Sequence, residues 1–463
     1  MKKKKLYYLW VQGCQMNQAD SERVRAVLSA SGWQPTEKEN LADLIIVVAC
    51  SVRQPAVNRI FGRVQQWQKR RQSGRLKTIL TGCVLPADQK KLEPLFDLII
   101  DIKEIAKLNV ILNPSAIAQG KLREGSHVKP RGLPWDPSPR RGGAKDDIIK
   151  NDYLCIPPKR QSSFRAYVPI MTGCNNFCAY CVVPYVRGRE KSRPAREIIN
   201  ECRQLINDGY KEITLLGQNV NSYMSPPARG GEGAKRQRGW ERSIINFPNL
   251  LGAIDQIPGD YWLRFLTSHP KDLSPELIKI MATGQHLAPY LHLALQSGDR
   301  RILKKMNRHY TPEHFWRLVG QARKAIPNLA ISTDVIVGFP GETKKQFMAT
   351  ARLMKQIKFS LAFIGKFSAR PGTAAAKLPD NVPLAEKRRR EKILTDLLKK
   401  TAKAANRRYL NKKVMVLVET FKNGCCFGKT ANFKTVRFSG NKKLVGQFIE
   451  VKIKKIDSWC LFG

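Results

Sequence analysis

The chain has 463 residues, 42% of them hydrophobic, and 82 Lys and Arg stand against 37 Asp and Glu for a formal net charge of +45. That length holds roughly two to four domains of about 100–200 residues each, and the hydrophobic share excludes a disordered polybasic tail. The charge selects polyanions as partners, whether RNA, DNA or an anionic membrane surface, with Lys-rich solubility as the plainer explanation.

The start, Met1 to Lys5 followed by the apolar run Leu6–Val11, has the polarity of a signal peptide. Its run stops at Gln12, short of the roughly 7–15 residues required, and no small-residue cleavage site follows. Other apolar stretches, such as residues 44–49, fall far below the roughly 20 that span a bilayer. No membrane attachment and a cytoplasmic location are therefore expected. In that compartment the 11 cysteines are reduced thiols, so clustered ones suggest metal or redox ligands.

Along the first 110 residues, apolar runs at 6–11, 44–48, 76–80 and 98–100 read as strands, with helical patterns at 19–30 and 55–70 between them. The alternation predicts a doubly wound, parallel α/β domain over residues 1–130. A Pro/Gly/Arg-rich stretch at 131–160 reads as a linker or insertion. Six further strand patterns follow, at 167–171, 213–216, 262–266, 290–295, 331–337 and 361–367. Helical patterns at 195–207, 275–282, 312–325 and 342–357 lie among them. This predicts a full or partial β/α barrel over residues 161–400, interrupted by a Gly/Arg/Lys-rich insertion at 226–242. A basic helix at 384–408, containing Lys387-Arg388-Arg389-Arg390, leads to residues 405–463, where short alternating strands predict a small all-β barrel of net charge +8 from residue 409 onward.

Cys174-x-x-x-Cys178-x-x-Cys181 places three thiols in a loop after an apolar strand. Three thiolates can hold a four-iron four-sulfur cluster and leave its fourth iron open; structural zinc ordinarily takes four ligands, and no fourth Cys or His is near in sequence. Cys14, Cys50 and Cys83 are dispersed, but each follows a predicted parallel strand. Carboxyl ends of parallel strands share one sheet edge, so these sulfurs form a second candidate cluster site, with buried structural cysteines as the alternative. Cys155, Cys202, Cys425, Cys426 and Cys460 show no ligand spacing.

At these residues the chain resembles the radical S-adenosylmethionine methylthiotransferases. The run from Met171-Thr172-Gly173-Cys174 to Gly188-Arg189-Glu190 resembles the family's cluster loop almost throughout. Gly13-Cys14-Gln15-Met16-Asn17, Gly217-Gln218-Asn219-Val220-Asn221-Ser222-Tyr223, Thr267-Ser268-His269-Pro270 and Asp334-Val335-Ile336-Val337-Gly338-Phe339-Pro340-Gly341-Glu342-Thr343 resemble it too. The second and third of these four look like the tRNA branch that makes 2-methylthio-N6-isopentenyladenosine. One departure concerns Val48-Ala49, where the family usually has Asn-Thr before the second amino-terminal cysteine.

The resemblance implies an amino-terminal cluster domain, a radical barrel and a carboxyl-terminal TRAM domain. It also implies two 4Fe-4S clusters, on Cys174, Cys178 and Cys181 and on Cys14, Cys50 and Cys83. Two S-adenosylmethionine molecules are then used per product: one methylates the sulfur, and one, cleaved by a reduced cluster, opens the adenine C–H bond at carbon 2. Glycines at a barrel strand end permit close backbone approach, which makes Gly338 and Gly341 candidate cofactor contacts beside Gln296, Ser297 and Asp334. Arg187, Arg189 and Arg308 are candidates for phosphate or carboxylate. Lys429, Phe433, Lys434 and Arg437 interleave aromatic and basic side chains and are the RNA-binding candidates, with core packing as the competing role for Phe433 and Phe438. The basic helix at Lys387–Arg390 would extend that track.

The expected partners are a tRNA anticodon stem-loop and a reduced flavodoxin or ferredoxin-like electron donor, with the protein itself a monomer. Two other functions remain open at this point: a sister methylthiotransferase acting on threonylcarbamoyl-adenosine or a ribosomal-protein aspartate, and a non-catalytic iron–sulfur RNA-binding protein.

Overall fold

The computed structural model describes residues 5–52, 54–112, 153–226 and 245–463. The expected linker, up to residue 152, and the Gly/Arg-rich insertion from residue 227 onward lie outside the described residues. Internal contacts divide the chain into two units, Met1–Gln161 and Ser162–Gly463. No helix among the described residues is long and apolar enough to cross a membrane.

The first unit is a five-stranded parallel sheet, β1 (Leu6–Val11), β2 (Gln34–Pro35), β3 (Leu44–Cys50), β4 (Lys77–Cys83) and β5 (Leu98–Ile99), in the order β2-β1-β3-β4-β5. Helices α1 (Gln15–Ala30), α2 (Gln54–Val64) and α3 (Pro86–Leu92) connect the strands. β3 is buried along its whole length, as a central parallel strand covered on both faces must be. The helical pattern at 55–70 is one helix in sequence but two in space, broken by a short 3-10 turn at Gln65–Trp67. Trp67 swings into the core there, edge-on to Trp10 at 5.9 Å with its Nε1 donating to Glu39.

The second unit carries six parallel strands, β6 (Arg165–Pro169), β7 (Glu212–Leu216), β8 (Trp262–Phe265), β9 (Tyr290–His292), β10 (Ala330–Val337) and β11 (Leu361–Lys366). They form two three-stranded sheets, β8-β7-β6 and β9-β10-β11, joined by single bridges such as Ser268 to Leu293. This is a partial barrel. Helices α4 (Ala195–Asn207), α5 (Phe247–Asp255), α6 (Pro275–Thr283), α7 (Pro312–Ala325) and α8 (Lys344–Ile357) supply the apolar stripes that pack against it. Side-chain caps start most of them, with Thr343 and Gln346 forming a reciprocal capping box on α8. β9 ends three residues before the sequence pattern does, because the carbonyls of Ala294 and Leu295 are taken by the side chains of Arg308 and Tyr310.

Helix α9 (Leu384–Asn406) lies along β11 and leads to a six-stranded module, β12 (Lys413–Lys422), β13 (Cys425–Thr430), β14 (Thr435–Ser439), β15 (Phe448–Lys452), β16 (Lys455–Ile456) and β17 (Cys460–Phe462), in the order β15-β12-β13-β14-β17-β16. Val416, Val418, Cys426, Val436, Phe438 and Leu461 fill its core. Phe438 is thus a packing residue.

Candidate active site

Every cluster candidate ends a parallel strand or lies in the segment that follows one. In the first unit, Cys50 and Cys83 are the last residues of adjacent strands and direct register partners. Cys14 is the N-cap of α1, one residue after Gly13. Gly13 has φ +142°, and a Cβ there would fall 2.7 Å from Asn17 Oδ1 and 2.8 Å from Cys50 Cβ, so glycine is what this approach to Cys50 requires. Asn17 ties the group together: its Nδ2 donates to the Ala49 carbonyl at 2.6 Å, and its Oδ1 accepts from Cys14 Sγ at 3.4 Å. At the Val48-Ala49 departure, the contact to Asn17 is made by the main-chain carbonyl of Ala49.

In the second unit, Cys174 and Cys178 are buried and Cys181 half-buried in the loop that follows β6. Burial and the neighbouring thiols push Cys181 up to about 12, and burial raises Cys174 as well. The sulfurs nevertheless have donors aimed at them, Arg308 Nη1 at 3.4 Å from Cys178 and Asn176 Nδ2 at 3.6 Å from Cys174. Positive charge and N–H groups around buried sulfurs favour the thiolate form that iron requires. Among the described residues no three His, Cys, Asp or Glu side chains converge on a point that would hold a single metal ion. An iron–sulfur cluster instead spreads its thiolates over separate irons, which suits this donor set.

Around the loop, the barrel's carboxyl edge is strained and polar. Phe177, Thr267 and Gln296 adopt left-handed backbone at φ +45°, +73° and +63°, unusual for non-glycine residues and most so for β-branched Thr267. Thr172 Oγ1, Ser268 Oγ and Gln296 Oε1 are buried without a hydrogen-bond partner. Such polar atoms fit a bound polar cofactor at this edge. His269 stays neutral, pushed down to about 2 chiefly by burial and then by Arg308, and its Nδ1 accepts from the Lys271 N–H.

The turn after β10 is braced from outside the barrel. Gly338, at φ +69°, donates its N–H to Glu342 Oε2 at 2.7 Å, and a Cβ there would collide with the Lys387 side chain. Arg390 pairs with the same Glu342 oxygen at 2.7 Å and with Glu386 at 2.8 Å. Lys387 is held by Asp380 at 2.6 Å. Two residues of the basic run are therefore internal braces, and the expected RNA track along Lys387–Arg390 must be corrected. Gly341 donates to Asn381 Oδ1, and Asp334 stays half-buried on the inner face. Ser297 is fully buried toward Thr350 of α8, so its side chain is committed to packing and is corrected as a cofactor contact. Arg308 is buried against Cys178 and Tyr310, whereas Arg189 is exposed over the Phe177 ring; Arg187 is buried.

A second correction concerns the RNA-binding candidates. Phe433 stacks on Tyr290 of the barrel at 4.6 Å, with Arg264 and Lys429 over its ring at 5.0 and 4.7 Å. Arg264 is itself buried, pairs with Glu212 at 2.6 Å and donates to the carbonyls of Thr430 and Ala431. Lys434 is only 7% exposed. Lys429 and Phe433 thus belong to the joint between module and barrel, and Lys434 is buried. Of the four candidates, Arg437 alone is exposed, in a row of register partners, Phe427, Arg437, Phe462 and Lys455, on the face opposite the module's core. Each cation lies over its neighbour's ring, Arg437 at 5.8 Å from Phe427 and Lys455 at 5.9 Å from Phe462.

Comparison with known proteins follows this geometry. Residues 168–354 match the radical SAM superfamily, residues 6–101 the uncharacterized protein family UPF0004, and residues 407–463 the TRAM domain. A tRNA-2-methylthio-N(6)-dimethylallyladenosine synthase of Clostridium novyi is 40% identical over 99% of this chain and 96% of that protein. The chain belongs to this radical S-adenosylmethionine methylthiotransferase family. Another member, from Clostridium perfringens, is 37% identical over 99% of this chain and 97% of its own length. The solved radical S-adenosylmethionine methyltransferase TsrM of Kitasatospora setae, with cobalamin and a 4Fe-4S cluster bound, covers 80% of this chain and 77% of its own at 14% identity and a TM-score of 0.54, a likeness of fold alone. In this methylthiotransferase, Glu342 lies in the strand-end motif and Arg390 in the basic run, but their pairing, and the role of Arg264 altogether, emerge only from contacts across distant elements. The signal for Gly13 was present in the sequence as a glycine immediately before a candidate ligand.

Proposed function

We infer that this chain methylthiolates carbon 2 of N6-dimethylallyladenosine beside the anticodon of tRNA, using 4Fe-4S clusters and S-adenosylmethionine. The observation that carries the reading is its full-length likeness to synthases of that name, with three cysteines at or after parallel strands in each unit. When bound, the clusters and S-adenosylmethionine supply the one-electron chemistry and the sulfur that acid–base groups cannot.

The protein's own residues hold and orient. Cys174, Cys178 and Cys181 would carry one cluster, with Arg308 and Asn176 donating to two of their sulfurs. Cys14, Cys50 and Cys83 would carry the other, with Asn17 fixing the first. Gln296, Gly338 and Gly341 would line the S-adenosylmethionine site, at a turn where Glu342 already takes the Gly338 N–H and the Lys387 side chain fills the place of a Cβ. The TRAM module binds tRNA, and its row of exposed Arg437 and Lys455 with half-buried Phe427 and Phe462 suits phosphate contacts and base stacking. The substrate element is the anticodon stem-loop, the electron donor a reduced flavodoxin or ferredoxin-like protein, and the enzyme a cytoplasmic monomer.

The test is anaerobic reconstitution followed by dithionite, S-adenosylmethionine and an anticodon stem-loop bearing dimethylallyladenosine. 5′-Deoxyadenosine should form and depend on that RNA. Its absence with iron and sulfide content verified refutes the reading, and dependence on a threonylcarbamoyl-adenosine RNA would select the sister activity.

A further inference from the structure

On β11, Ala362 and Ile364 pack against the main core, so Phe363 between them projects to the barrel's inner face. It is 47% exposed, and among the described residues no other large hydrophobic residue on a barrel strand is so open. Its register partner on β10 is Asp334. That carboxylate keeps 30% of its side chain exposed and is held by His292 Nε2 at 3.1 Å. His292 is fixed in turn, its Nδ1 2.8 Å from Ser332 Oγ, which Tyr290 OH meets at 2.6 Å. The imidazole also lies 6.2 Å from the Phe363 ring. An open aromatic ring thus stands beside an oriented carboxylate, which lies on the strand whose carboxyl end carries Gly338 and is held by His292 of the strand that precedes Gln296.

We propose that Phe363 and Asp334 form the subsite that recognises the dimethylallyl-substituted adenine. The inference rests on the functional reading above and deepens it. The modified base offers one N6–H donor and a branched five-carbon apolar group on the same nitrogen. A carboxylate accepts the first, and an uncovered ring receives the second. Asp334 lies four residues before Gly338, about 13 Å along the strand, which leaves room for the cofactor at the mouth and the base deeper in the barrel. Because Phe363 is exposed, its truncation does not open a cavity in the core.

The experiment uses the reconstituted holoenzyme and two anticodon stem-loops that differ only in the dimethylallyl group. Dissociation constants for both RNAs and for S-adenosylmethionine are measured in wild type, Phe363→Ala, Phe363→Leu and Asp334→Ala. Wild type should prefer the dimethylallyl RNA. Phe363→Ala should lose about ten-fold or more of that preference, while Phe363→Leu retains most of it. Asp334→Ala should weaken both RNAs alike, since unmodified adenine also has N6–H, and leave S-adenosylmethionine affinity unchanged. Full preference in Phe363→Ala overturns the inference while leaving the activity standing. A fall in S-adenosylmethionine affinity alone in Asp334→Ala overturns the role of the carboxylate. A wild type that neither prefers the dimethylallyl RNA nor makes 5′-deoxyadenosine with it overturns the functional reading as well.

Discussion

Replacing Arg390 with Met removes the guanidinium that neutralises Glu342, whose side chain is 1% exposed and only 2.7 Å away. Breaking a buried ion pair from one side costs about 3–5 kcal/mol, because the remaining charge has no water to return to. Glu342 keeps only the Gly338 N–H, so the cost falls on the turn at residues 338–342. Glu342→Gln preserves an acceptor for both donors and should cost about 1–2 kcal/mol. The double variant leaves no unpaired carboxylate and should cost no more than Arg390→Met alone, so the coupling is at least the cost of Glu342→Gln, about 1–2 kcal/mol within one network. Burial already raises the Glu342 carboxyl, and losing Arg390 raises it further. A raised carboxyl is stabilising below its unfolded pKa and loses that contribution as pH rises through the folded one, so the Arg390→Met deficit should be smaller at acid pH than at neutral pH. Amide hydrogen exchange at residues 338–343 is the suitable assay, because a multidomain chain lacks a single unfolding equilibrium. Additivity within about 0.5 kcal/mol, or wild-type protection in Arg390→Met, would refute the brace.

A Cys14/Cys50/Cys83 triple alanine variant should fall from about eight irons per chain to about four; unchanged iron would eliminate the second cluster site. Burial pushes Lys434 down to about 8. The folded module therefore pays for a buried charge below that pH and is relieved as pH rises from about 8 toward the ordinary lysine range. Lys434→Met should accordingly stabilise the module near pH 7, by up to about 3 kcal/mol, and flatten the alkaline rise, as amide hydrogen exchange within residues 409–463, corrected for intrinsic rates, would show across pH. Arg437→Ala should weaken tRNA binding and reduce the slope of log affinity against log salt by about 0.9 if it meets one phosphate. An unchanged slope would move the RNA contact off that row.

Periodicity made the architecture legible. Apolar runs and helical spacing located the parallel sheet, the barrel strands and the carboxyl-terminal β module, and α4 and α7 came out with their observed bounds. Strand-end logic also placed Cys50 beside Cys83, because parallel topology alone decides which strand ends are neighbours. What failed was the use of local charge as a guide to exposure. Lys387, Arg390, Lys429 and Lys434 all read as polyanion contacts, yet Arg390 is drawn inward by the distant Glu342, Lys387 by Asp380, Lys429 lies over the Phe433 ring at the joint with the barrel, and Lys434 is buried. Pairwise burial of that kind leaves no periodic trace. The same holds for Phe363, where strand alternation predicts a side but not which side remains uncovered.

The central claim is most directly tested by nucleoside mass spectrometry of a dimethylallyladenosine stem-loop after anaerobic reaction with the reconstituted, reduced enzyme and S-adenosylmethionine. The account predicts 2-methylthio-N6-dimethylallyladenosine, accompanied by S-adenosylhomocysteine and 5′-deoxyadenosine in equal amounts. Unchanged nucleoside from an enzyme of verified iron and sulfide content, or 5′-deoxyadenosine without sulfur in the RNA, would contradict it.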